Sequence, residues 1–205
     1  MNASNWFALL CPWLALVRLL QLIAARGRLR KHGSGRLLLF CVAALGVLAV
    51  PVNGFAVGWW VRGVAASFSI PLTLLLAVQV WEAEFSQKLL GPRDWVAGWA
   101  FGTVAGVVLY PCALGWGNSD PYEWGWSFSP LFIGAGAIAA VLLWQQNRFG
   151  LLLLLAIAAW QLHLLESGNY WDYLVDPVYF VTALIALGYR LFRYSRRHRA
   201  GANAA

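Results

Sequence analysis

Six long apolar runs constrain this chain more than any other feature. They lie at about 37–59, 64–81, 95–115, 130–146, 150–166 and 177–192. Each approaches the roughly 20 apolar residues that a helix needs to cross a bilayer. A seventh run, 6–25, is ambiguous. Short loops separate the runs, too short for a soluble catalytic domain. Hydrophobic residues make up 61% of the chain and charged residues 11%, against about 45–50% and about 25% in soluble domains. The expected fold is therefore all-α: one integral membrane domain over 1–205, with six spans, an N-terminal helix that is interfacial or a seventh span, and a basic tail over 193–205.

The charges test this division. Cytoplasmic loops are enriched in Lys and Arg. With the 26–36 loop and the C-terminus both inside, every one of the 15 Lys and Arg falls inside except Arg62. Asp120, Glu123, Glu166, Asp172 and Asp176 fall outside; Glu82, Glu84 and Asp94 fall inside. The net charge of +7 thus reads as topology, and no nucleic-acid partner is expected. The Arg-rich composition suggests a bacterial source, hence an inner (cytoplasmic) membrane with the C-terminus cytoplasmic. The start, Met1-Asn2-Ala3-Ser4-Asn5, lacks a positive n-region, so no cleavable signal peptide is expected. Cys11, Cys41 and Cys112 are far apart and form no pairing pattern.

Local signals set finer expectations. Pro51-Val52-Asn53-Gly54 reads as a turn, yet a loop there leaves the preceding helix short, so a kinked first span with an outer loop at 60–63 is preferred. Pro71 falls mid-span and reads as a kink. Asp94, Ser129 and Asp176 read as N-caps before Trp95, Pro130 and Pro177. In the N-terminal run, Trp6, Leu9, Leu10, Trp13, Leu14 and Val17 form a large apolar face opposite Ala8, Cys11, Ala15, Arg18 and Gln21. Such asymmetry suits a helix in the interface or a span packed on its small face. Gly98, Gly102 and Gly106 form a double G-x-x-x-G, expected to pack helices within the chain, or against a second copy or another membrane protein.

The outer loops carry the chemistry. Residues 115–129 and 166–176 both mix Trp and Tyr with acids and amides. Part of this is the aromatic belt at a bilayer surface. The interleaved polar groups also make ligand candidates of Trp116, Asn118, Asp120, Tyr122, Glu123, Trp124, Asn169, Tyr170, Trp171 and Asp172. Rings stack on sugars while carboxylates and amides take hydroxyls, so a glycolipid or lipid head group is the natural ligand. His163 and Glu166 lie three apart and would share a helix face. With Asp172 and Arg62 they are the candidates for catalysis, although no catalytic role is assigned to any residue. One His and one carboxylate make half a metal site, so neither metal nor cofactor is expected.

Gly33-Ser34-Gly35 lies in the basic loop and lacks the pattern of a rhomboid-type serine protease. Walker and dinucleotide signatures are missing as well. Two function classes follow. The first is a non-catalytic accessory or scaffold protein of the cell envelope, set in the lipid bilayer. It would dock a membrane-protein partner through small-residue helix faces and touch a lipid-linked or periplasmic ligand with its acidic aromatic face. The second is an outer-leaflet enzyme or small transporter using His163, Glu166 and the acidic loops.

Overall fold

The computed structural model describes residues 3–26, 33–116 and 120–202. The described residues are helical, apart from turns and one two-residue hairpin. Among the described residues nine α-helices run in chain order: α1 (Ala3–Arg26), α2 (Ser34–Ala49), α3 (Val57–Val64), α4 (Ile70–Phe85), α5 (Pro92–Ala113), α6 (Pro130–Trp144), α7 (Phe149–Gln161), α8 (Tyr170–Leu174) and α9 (Pro177–Ala202). The strands β1 (Pro51–Val52) and β2 (Phe55–Ala56) lie between α2 and α3. Phe7–Arg26 and Pro92–Ala113 are long and apolar enough to cross a membrane; α2, α6 and α7 are apolar but shorter.

Seven of the helices run between two chemically distinct ends. Contacts along their length show the directions. Tyr179 and Arg190 of α9 reach the carbonyls of Gly98 and Pro92 in α5, so these helices are antiparallel. Trp13 of α1 donates to the Cys41 carbonyl of α2, and Gln21 donates to the Val80 carbonyl of α4. Arg18, Arg26, Arg36, Lys88, Arg93, Arg148, Arg190, Arg193 and Arg196 therefore collect at one end. Arg62, Asp120, Glu123, Glu166, Asp172 and Asp176 lie at the other, called here the acidic end. Arg28, Arg30 and Lys31 of the 26–36 loop lie outside the described residues.

The glycine stripe of α5 is an internal seam. A Cβ on Gly98 would meet the Phe149 ring at 3.2 Å, and one on Gly102 would meet Tyr179 at 2.8 Å. At Gly106 it would overlap Phe180 at 2.1 Å. Glycine lets α9 lie directly on the α5 backbone, and the Tyr179 hydroxyl donates to the Gly98 carbonyl at 2.6 Å. Around this seam, Leu75, Phe149, Leu153, Tyr170, Tyr173 and Tyr179 form the main core.

Four local expectations are corrected. The 51–54 turn is real, and no helix continues through it. Asn53 and Gly54 both have positive φ, 50° and 83°, the backbone of a type I′ turn, which Asn-Gly suits best. Pro51 pairs with Ala56 and Val52 with Phe55. Helix α2 thus ends at Ala49, and Arg62 sits on the separate helix α3 rather than in a loop. Pro71 does not kink a helix; it opens α4 in the first turn, where its missing N–H costs nothing. Asp94 is not the N-cap of Trp95. The α5 helix starts at Pro92, and Asp94 reaches back to the Gly91 N–H at 2.7 Å. Finally, α1 buries neither of its expected faces whole. Its inward stripe is Ala8, Cys11, Leu14, Val17, Gln21 and Ala24, a spacing of three to four that lies along α4 and α2.

Candidate functional site

The two acidic-end loops fold onto each other. The first begins where α5 ends: Gly115 takes φ 86°, and the Gly115 and Trp116 amides bond back to the Cys112 and Pro111 carbonyls. Asp120 then accepts the Tyr122 N–H at 2.9 Å, starting a 3₁₀ turn over Pro121–Gly125. The second loop begins at the end of α7. His163 adopts φ 51°, and the His163 and Leu164 amides bond to the Trp160 and Ala159 carbonyls. This is a Schellman ending with His163 in the left-handed position usually held by glycine.

Asn169 joins the loops. It is fully buried. Its Oδ1 accepts the Trp171 N–H at 2.9 Å and starts α8; its Nδ2 donates to the Tyr122 carbonyl at 2.9 Å. Trp171 Nε1 donates to the Pro121 carbonyl at 2.7 Å. The Tyr122 hydroxyl donates to Asp172 Oδ2 at 3.0 Å. A Cβ on Gly125 would fall 1.7 Å from Asn169 Oδ1, so only glycine permits this contact. Burial, the nearby Asp172 carboxylate and their hydrogen bond push the Tyr122 phenol up to about 12.

Asp176 behaves as the N-cap that the sequence suggests. Its Oδ1 accepts the Val178 and Tyr179 amides at 2.8 and 2.9 Å. Its Oδ2 takes the Ser69 N–H at 2.8 Å and the Ser69 hydroxyl at 2.6 Å. One carboxylate thus starts α9 and latches the start of α4 to it. Ser129 also precedes its helix, but its hydroxyl donates to the Trp124 carbonyl instead of capping.

The expected catalytic candidates separate into three places. Arg62 pairs with Glu166 at 2.5 Å and lies over the Trp59 ring at 5.4 Å. Asp172 lies apart from that pair, in a cavity of about 260 Å³ with Ser67, Tyr110, Tyr122 and Asp176. His163 is exposed, and because α7 stops at Gln161 it shares no helix face with Glu166. That corrects the three-apart argument, which needed the helix to continue. Among the described residues, no three His, Cys, Asp or Glu side chains are grouped to hold a metal ion.

The expected ligand residues separate by exposure. Trp116, Trp124, Asp120 and Glu123 are exposed, and Tyr122 is half-buried. Asn169, Tyr170 and Trp171 are buried, which corrects their reading as surface contacts. Tyr170 packs against both the Phe132 and Trp160 rings, all three centroids 5.4 Å apart. Asn118 lies outside the described residues. Trp126, exposed on the same loop, extends the aromatic surface.

Sequence reasoning missed one cluster at the basic end. Glu84 is completely enclosed. Its oxygens accept the Gly33 N–H at 2.8 Å, Arg36 Nε and Nη2 at 3.0 Å each, and Gln21 Nε2 at 3.3 Å. The signal was a carboxylate one turn beyond an apolar run, in line with a basic loop. No family model, curated protein or solved structure matches this chain.

Proposed function

We propose that the chain is a multi-pass membrane protein of the cell envelope that binds rather than catalyses. In this reading α1, α2, α4, α5, α6, α7 and α9 cross the bilayer, in a bacterial inner membrane. Outward faces carry large apolar side chains on α2 (Leu38, Leu39, Val42), α5 (Val104, Val107), α6 (Ile133, Ile138, Val141) and α9 (Val181, Ile185). Soluble monomers rarely expose so much contiguous apolar surface. The basic residues at one end place that end, with the C-terminus, in the cytoplasm by the positive-inside rule. The acidic end then faces the periplasm.

One observation carries the binding role. The polar side chains of the acidic end are largely spent on each other, in the Asn169 clasp, the Asp176 latch and the Arg62–Glu166 pair. The clasp nevertheless holds out the exposed indoles of Trp124 at 49% and Trp126 at 61%, and the turn that ends α5 exposes Trp116 at 79%, at the same end as the exposed Asp120 and Glu123. Exposed rings on a braced loop form a docking surface for a membrane-protein partner or for the sugars of a lipid-linked ligand. The small-residue seam of α5 is occupied by α9, which leaves this loop as the docking element.

The test is photo-crosslinking in intact cells, with the crosslinker placed at Trp116, Trp124 or Trp126, and at Val104 as a bilayer-facing control. Discrete adducts at the indoles and not at Val104 are expected. Equal labelling at all positions, or adducts at none, would remove the docking role.

A further inference from the structure

An apolar cleft of about 660 Å³ opens at the acidic end, away from the Asp172 cavity. Leu9, Leu10 and Trp13 of α1 form one wall, and Leu45, Leu48 and Ala49 of α2 form another. The third wall is Ala56, Gly58, Trp59 and Arg62 of the hairpin and α3. Its volume matches small-molecule sites, about 300–1,000 Å³. Nine of these ten residues are apolar or glycine; Arg62 alone brings charge. A close backbone approach builds the third wall, since a Cβ on Gly58 would meet the Leu48 carbonyl and the Leu9 side chain at 3.4 Å.

Arg62 is equipped for more than its visible partner. Its side chain is only 15% exposed, and its buried Nε has no hydrogen-bond partner. A buried donor left unmade is costly, so an acceptor in the cleft would be stabilising. Glu166, 45% exposed, accepts from Nη2 of the guanidinium. The rim thus presents one cation and one anion side by side over an apolar cleft, on a face that is otherwise acidic.

We propose that this cleft holds a zwitterionic phospholipid with a primary amine, of the phosphoethanolamine class. An acyl chain lies along the Leu and Trp walls. The phosphate takes the free donors of Arg62, and the ammonium donates to Glu166. The pairing of charges selects this head group. A net-anionic lipid meets Glu166 and the acidic loops, and a quaternary ammonium has no N–H to donate. The proposal rests on the membrane reading above, but not on docking by the indoles.

The test is native mass spectrometry of the detergent-solubilised full chain after exchange into equimolar phosphatidylethanolamine, phosphatidylglycerol and phosphatidylcholine of matched chains. Wild type is expected to retain phosphatidylethanolamine preferentially. Arg62→Gln is expected to lose about tenfold in retention, one charge-assisted contact's worth. Glu166→Gln is expected to shift the preference toward phosphatidylglycerol. Ala49→Trp fills the cleft from an exposed helix position and leaves both charges in place, so its loss of retention would not reflect misfolding. Equal retention of the three lipids, preference for phosphatidylglycerol in the wild type, or unchanged retention in Ala49→Trp would overturn the proposal. Release of the wild type from membranes by alkaline carbonate without detergent would instead sink the membrane reading itself.

Discussion

Asn169 offers the sharpest test of how the acidic end is built. Truncating it to Ala removes two hydrogen bonds at once, Oδ1 to the Trp171 N–H and Nδ2 to the Tyr122 carbonyl, both 2.9 Å. The residue is fully buried, so water does not readily replace them. An orphaned buried group costs about 1–3 kcal/mol, so the pair should cost about 3 kcal/mol in total. For a chain of this size that corresponds to a fall of about 6–12 °C in Tm. Asn169→Asp is the discriminating variant. It keeps the shape and the Trp171 acceptor but turns an oxygen toward the Tyr122 carbonyl, so it should be no better than Ala. The assays are thermal unfolding in detergent and amide hydrogen exchange over 121–126 and 169–174. Loss of exchange protection in both segments together is expected, because Asn169 is the common tie. If Asn169→Asp kept wild-type Tm and protection, the clasp would not be held as described.

Four further outcomes follow from the same geometry. Gly106→Ala should destabilise the chain by about 1–3 kcal/mol through overpacking on Phe180, while Gly136→Ala, with nothing within 4 Å of the added Cβ, should be near neutral; thermal unfolding of both checks this. Glu84→Ala should cost about 3–5 kcal/mol by removing the buried acceptor shared by the Gly33 amide, Arg36 and Gln21, and a thermal double-mutant cycle with Arg36→Met should show coupling between the two positions. His163→Gly should raise Tm slightly, because glycine takes the left-handed position without strain, whereas lost function would assign the imidazole a chemical role. The phenol of Tyr122 is raised from an ordinary value of 10.0 to about 12 in the folded chain. The stability tied to it is complete below about pH 10 and disappears as pH rises through about 12; Tyr122→Phe should flatten that part of a stability–pH curve.

Particular residues show where sequence reading succeeds. Asp176 before Pro177 was legible as a cap because N-cap chemistry is local, one side chain and the next three amides. The glycine repeat of α5 was legible as a packing face because its spacing matches the helix period. His163 and Glu166 were misplaced for a related reason: spacing arguments hold only while the helix continues, and the Schellman turn at His163 breaks the register. Pro71 was misread because an apolar run does not show where its helix begins. The Asn53-Gly54 turn was legible locally, but the length expected of a span overrode it.

The sequence by itself determined the all-helical class, the apolar segments and the asymmetry that gathers basic groups at one end and acidic groups at the other. These follow from composition and from charge order along the chain, which need no knowledge of contacts. Only the tertiary structure decided which polar groups meet. The Tyr122–Asp172 and Asn169–Tyr122 pairs join residues 50 and 47 positions apart, Arg62 and Glu166 are 104 apart, and Ser69 and Asp176 are 107 apart. No periodicity relates such positions. They come together because α9 lies against the glycines of α5 and the short helices carry both loops to the same end.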